Sequence, residues 1–157
     1  YLVQPTGGER SFRAYWCPYM KNRARSVTVN DEASLMFTAQ MDGCTLGVGG
    51  ATPNGARMVM HINQGSYWAN LSKSGAITED AARMAQYDSQ AAMLNDRLGA
   101  GTEMVGPRSY RRDADGQFVL ASTTFGVRRD TGWSFHTQTF YTPDLTKYFL
   151  RDVRQVI

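Results

Sequence analysis

Phe37 to Ile62 reads FTAQMDGCTLGVGGATPNGARMVMHI. Between Cys44 and His61 lies Gly49-Gly50-Ala51-Thr52-Pro53-Asn54-Gly55, a strong turn signal in which Asn-Gly suits a tight hairpin. Met58, Val59, Met60, His61 and Ile62 then form an apolar segment that reads as a strand coming back toward Cys44. Cys44 and His61 are thereby expected on adjacent or nearby elements of an antiparallel arrangement. Gly43 can take positive backbone angles, so Gly43-Cys44-Thr45 reads as a sharp turn that presents a thiol at a rim. Backbone N–H groups near Gly43 and Thr45 would then be free to bind an oxyanion. The chemistry implied is a cysteine nucleophile with a histidine acid–base partner.

Working outward, Ser11 to Tyr19 alternates as a half-buried strand, and Ser26 to Val29 reads as its partner. Ala33 to Phe37 brings an apolar run into the cysteine segment. Thr78 to Leu98 is the clear helix, with Thr78 as N-cap, Glu79 and Asp80 in the first turn and Gly99 ending it. Its stripe of Met84, Tyr87, Ala91, Leu94 and Leu98 is expected to cover a sheet. From Glu103 the pattern returns to strands. Asp113 to Gly116 turns between Ser109–Arg112 and Gln117–Val127, Arg129 to Gly132 turns into Trp133–Tyr141, and Leu145 to Val156 forms a strand or short helix. The fold class expected is α+β: an antiparallel β-sheet or β-sandwich with one main helix, about 78–98, packed on it, and at most one more.

The 157 residues fit a single domain, 1–157, large enough for a core. Apolar content of 42% and charged content of 20% exclude a disordered chain, and no run reaches membrane-spanning length. The chain begins at Tyr1 with no leader pattern and reads as a trimmed form or a piece of something larger. A net charge of +3 is too weak to imply nucleic acid unless concentrated on one face. The local clusters are Lys21, Arg23 and Arg25; Arg108, Arg111 and Arg112; and Arg128 with Arg129. Two cysteines are a thin disulfide framework, so both are expected as free thiols, Cys17 as a packing residue. His136 reads as structural, and Trp16, Trp68 and Trp133 as core or near-core aromatics, with Tyr67 and Trp68 possible residues of a substrate rim. Gly47, Gly49 and Gly50 lack the lysine and helix start of a phosphate loop. Two separated cysteines and two separated histidines make a metal site improbable, and no cofactor is required.

Around these residues the chain resembles the bacterial Cys–His glutamine deamidases: the cytotoxic necrotizing factor catalytic domains, Burkholderia lethal factor and CheD. Asp42-Gly43-Cys44-Thr45 and Val59-Met60-His61 match in form the Ser-Gly-Cys-Thr core and following strand-to-histidine of the necrotizing factors. Phe37-Thr38 precede Gly43-Cys44 by the interval seen in Burkholderia lethal factor. By this resemblance Thr38 is the third catalytic member, orienting His61 through its hydroxyl or its carbonyl. Met41-Asp42 departs from the Leu-Ser of the family. The likeness spans about thirty residues.

The resemblance implies a CNF/CheD-like deamidase fold and a hydrolase that converts a glutamine of a target protein to glutamate through a thioester, with transglutamination as a possible side activity. It also implies a secreted or injected toxin or effector acting in a target cell's cytoplasm, its partners a target such as a GTPase or translation factor and possibly an immunity or carrier protein. Two other classes stand beside it. A basic toxin domain acting on nucleic acid needs one continuous arginine face, and a non-enzymatic binding module would tolerate loss of Cys44 and His61.

Overall fold

The computed structural model describes residues 2–3, 12–111, 121–141 and 148–157, with side chains from residue 12 onward. The strands are β1 (Leu2–Val3), β2 (Ala14–Cys17), β3 (Ala24–Val29), β4 (Leu35–Thr38), β5 (Thr45–Val48), β6 (Arg57–Ile62), β7 (Glu103–Val105), β8 (Ala121–Arg129), β9 (Gly132–Tyr141) and β10 (Phe149–Gln155). The helices are α1 (Gly65–Lys73), α2 (Glu79–Leu98) and the single turn α3 (Pro107–Tyr110). The expected turn at Asp113–Gly116 lies outside the described residues.

Two sheets face each other, one ordered β1-β2-β4-β8-β9-β10 and the other β3-β6-β5-β7. Apolar side chains of both meet between them: Tyr15, Cys17, Met36, Trp133 and Phe135 from the first, and Val27, Val29, Leu46, Val48 and Val59 from the second. A smaller core of Met60, Ile62 and Leu94 lies on the opposite face of the four-stranded sheet, where α2 packs. The α+β sandwich with one long helix is therefore as expected.

The hairpin between β5 and β6 follows the turn signal. Gly55 holds φ +78°, and Thr52 and Ala56 close the loop with a backbone hydrogen bond of 2.8 Å. Register Leu46↔His61 and Val48↔Val59 puts the odd-numbered residues of β6 on the interlayer face. Thr45 and Gly47 turn the other way, toward α2. A Cβ at Gly47 would stand 2.7 Å from Leu94 Cδ2, so this glycine permits close helix–sheet approach rather than phosphate binding.

Helix α2 begins and ends where its sequence signals place it. The Thr78 hydroxyl accepts from the Ala81 N–H at 3.2 Å, and Gly99 takes φ +82°. Its buried face differs from the expected stripe: Ala82, Gln86, Tyr87, Gln90 and Leu94 are buried, while Met84 is exposed. The two glutamines turn inward because the polar turn before β5 supplies their hydrogen-bond partners.

Two other expectations are corrected. Ser26–Val29 does not pair with Ser11–Tyr19: β3 pairs with β6, and β2 runs parallel to β4 with Cys17 beside Thr38. Within Ser109–Arg112, expected as a strand, Ser109 and Tyr110 lie in α3, which follows Gly106 with Pro107 at its first position, where a missing N–H costs nothing. A second helix, α1, within the one more expected at most, starts four residues after His61. The Arg129–Gly132 turn joins β8 to β9 as expected, and Phe149–Gln155 is a strand.

Candidate active site

Cys44 immediately precedes β5, and the alternation of that strand carries it onto the same interlayer face as Leu46. His61 is the direct cross-strand partner of Leu46. It thus lies one diagonal step from Cys44, with Cα atoms about 7–8 Å apart by sheet geometry. Both side chains are buried, Cys44 at 0% and His61 at 2% exposure.

Among the described residues, neither ring nitrogen of His61 has a hydrogen-bond partner. The cysteine sulfur instead accepts from Asn63 Nδ2 at 3.2 Å. Cys44 and His61 are neighbours that are not hydrogen-bonded to each other in this resting arrangement. Catalytic hydrogen bonds are often long or misaligned before substrate binds.

Burial sets the charge state of both groups. It pushes the Cys44 thiol up to about 11, against which the Asn63 hydrogen bond acts, while the Asp42 carboxylate raises it further. It pulls the His61 imidazole down to about 4, with Asp42 acting weakly the other way. Near neutral pH the pair rests as thiol and neutral imidazole, not as thiolate and imidazolium. The neutral imidazole has a lone pair to take the thiol proton, but between groups at about 4 and about 11 that transfer is uphill and has to be coupled to formation of the sulfur–carbon bond.

The turn that carries Cys44 is clamped by α2. Gln86 Nε2 and Gln90 Nε2 donate to the Gly43 carbonyl at 2.9 and 3.2 Å, and the Thr45 hydroxyl donates to Gln90 Oε1 at 2.6 Å. From the other side, the buried Tyr110 hydroxyl donates to the Cys44 carbonyl at 2.8 Å. Gly43 is not among the glycines with positive φ, so the turn owes its shape to these partners rather than to left-handed backbone.

Thr38 is buried in the facing sheet beside Cys17, whose sulfur lies 3.8 Å from the Val59 carbonyl and beside the His61 backbone. Thr38, Cys44 and His61 therefore face one interlayer. The Thr38 hydroxyl accepts from the Thr124 N–H at 3.0 Å, and no hydrogen bond joins it to the imidazole. Both cysteines are free thiols, and burial pushes Cys17 up to about 12. His136 stacks on Phe125 across β8 and β9, away from this site.

A cavity of about 470 Å³ opens beside the cysteine turn, between α1 and α2. Asp42, Gly43, Asn63, Trp68, Arg83 and Arg111 are among its walls. Of the two expected rim aromatics, Trp68 lines it, with an indole N–H buried and unpartnered among the described residues, whereas Tyr67 is exposed and outside it. Tyr19, with its ring centroid 5.8 Å from that of His61, forms an outer cover, and Cys44 and Asp42 help raise its phenol after burial has done so.

Asn63, Gln86, Gln90, Tyr110 and Tyr19 were not legible as site residues. Only Asn63 left a usable signal: two positions after His61, it falls on the same strand face. Among the described residues the basic clusters sit on three separate elements: Lys21, Arg23 and Arg25 on the loop between β2 and β3 with the start of β3, Arg108 and Arg111 at the α3 turn, and Arg128 with Arg129 at the tip of the β8–β9 hairpin.

No protein-family model matches the chain, and no curated protein matches it. Among solved structures it is similar to the C-terminal domain of CNFy from Yersinia pseudotuberculosis, with a TM-score of 0.41 and 10% identity over 92% of this chain. The chain spans 61% of that structure's own chain. Among the described residues, no helix is long and apolar enough to cross a membrane.

Proposed function

We propose that the protein is a thiol-dependent protein-glutamine deamidase, acting as a toxin or effector inside a target cell. The observation that carries this reading is a buried cysteine whose sulfur accepts from Asn63 Nδ2, with a neutral histidine, unpartnered among the described residues, one step away on the same sheet face. Leaving a buried imidazole unsatisfied costs stability, about 1–3 kcal/mol for a lost partner, and a cost of this kind suits a working group better than a packing one. The motif Phe37-Thr38 with Gly43-Cys44-Thr45 and Val59-Met60-His61 supports the same reading.

In the reaction proposed, a target glutamine enters by the cavity between α1 and α2. His61 takes the Cys44 proton as the sulfur attacks the carboxamide carbon, and the carbonyl electron pair moves onto oxygen. Backbone N–H groups of the turn around Gly43, Cys44 and Thr45 stabilise that oxyanion. As the intermediate collapses, the C–N bond breaks, the imidazolium proton goes to the leaving nitrogen and ammonia departs. Water, deprotonated by His61, then hydrolyses the thioester and leaves glutamate with the thiol restored. A primary amine in place of water gives transglutamination. Thr38 is assigned a supporting role behind Cys17 and His61.

Amine trapping tests the thioester. Cell lysate incubated with the protein and a fluorescent primary amine is expected to show amine incorporation into a protein substrate, lost in Cys44→Ala and His61→Leu. Incorporation that survives Cys44→Ala, or none with the wild type alongside no ammonia release, contradicts the proposal.

A further inference from the structure

Asn63 has its amide plane fixed by the backbone. Its Oδ1 accepts from the Asn22 N–H at 2.9 Å and from the Gly65 N–H at 3.4 Å. Those two donors settle which end of the amide is oxygen, a choice that otherwise rests on the surrounding hydrogen bonds. Nδ2 is thereby turned to the Cys44 sulfur at 3.2 Å. Asn22 is held in place in turn: it occupies the left-handed region at φ +56°, which asparagine tolerates, and its Oδ1 accepts from the Ser66 N–H at 3.0 Å. Asn63 is also among the residues lining the cavity.

We infer that Asn63 is a further catalytic residue, whose Nδ2–H holds the Cys44 sulfur at rest and supplies the side-chain donor of the oxyanion hole during acyl transfer. The inference rests on the acyl-transfer chemistry proposed above. A carbon in attacking position stands about 3–3.5 Å from the sulfur, and its oxygen about 1.2 Å beyond. A donor already beside the sulfur, on a residue that lines the cavity, reaches that oxygen with little movement, and effective oxyanion donors sit about 2.7–3.1 Å from it. Asn63 gives up no proton: the thiol proton passes to His61, the new bond is Sγ–C, and Nδ2–H contributes a hydrogen bond alone.

Two small probes separate this role from a structural one. Acetylation of Cys44 by p-nitrophenyl acetate passes through an oxyanion, whereas alkylation by iodoacetamide does not. Asn63→Asp retains the Oδ1 acceptor and the size of the side chain while placing oxygen against the sulfur. Asn63→Ala is an uncharged second variant. Both are expected to slow acetylation about 100-fold to 1,000-fold more than alkylation, the range found when one oxyanion donor is removed. Modification is assigned to Cys44 by peptide mass spectrometry.

Equal slowing of both probes, no slowing of either, or loss of the fold in both variants overturns the inference and leaves Asn63 a structural role. An Asn63-dependent acetylation in a protein that deamidates nothing would instead overturn the deamidase reading alone.

Discussion

His61→Leu is expected to stabilise the fold while abolishing activity, and the stabilisation is expected to grow as pH falls. The folded-state value of about 4 lies below the ordinary 6.5 because the imidazole is removed from water. Above pH 6.5 the histidine is neutral in both folded and unfolded chains, so it adds no pH dependence there. Between pH 6.5 and about 4 the unfolded chain takes up a proton that the folded chain refuses, and stability is lost as pH falls through this window. At about 1.36 kcal/mol per pH unit the loss reaches about 3 kcal/mol at pH 4.

Leucine removes that term together with the two unpartnered ring nitrogens. In thermal unfolding, where 1 kcal/mol moves a domain of this size by about 2–4 °C, the variant should gain about 6–12 °C on the wild type between pH 7.5 and pH 4. Circular dichroism melts of both proteins across that range measure it. A variant less stable at pH 7.5, with a difference that does not change toward pH 4, would refute the argument that His61 is a buried neutral imidazole.

Gln90→Leu leaves the Gly43 carbonyl with a weaker clamp and removes the acceptor of the Thr45 hydroxyl, so urea unfolding should show a loss of about 1–3 kcal/mol. Gly47→Ala should cost a similar 1–3 kcal/mol or so by overpacking against Leu94 and Leu98, measured in the same way. Cys17→Ala, which removes a buried sulfur that the proposed chemistry does not use, should destabilise modestly and keep amine incorporation, in contrast to Cys44→Ala. Ala69→Trp, at a position lining the cavity, should raise KM for a protein substrate and leave iodoacetamide alkylation of Cys44 unchanged, as kinetics on the trapped substrate would reveal.

Elements with their own local chemistry were readable from the chain. Thr78 and Gly99 mark the ends of α2 by a side-chain cap and a left-handed glycine, and Asn54-Gly55 closes the β5–β6 hairpin. Pairings between distant segments were not. Nothing local in Ala14–Cys17 says that its parallel neighbour is Leu35–Thr38, while the intervening Ala24–Val29 joins the other sheet. Helix α1 has no side-chain cap and no acidic first turn, so its start carries little signal. The Gly106-Pro107 pair did announce a helical turn, which a strand reading of Ser109–Arg112 overlooked. That Cys44 and His61 come close together was legible from their spacing around a hairpin. The glutamines that clamp Gly43 broke the apolar stripe of α2 and were passed over for that reason.

The central claim is that Cys44 and His61 convert a protein glutamine to glutamate. Cell lysates treated with wild type, Cys44→Ala or His61→Leu, all verified as folded, can be compared by peptide mass spectrometry for glutamine-to-glutamate conversion. A defined glutamine converted by the wild type and by neither variant is the predicted result. Equal glutamine content after all three treatments, in eukaryotic and bacterial lysates alike, would contradict it.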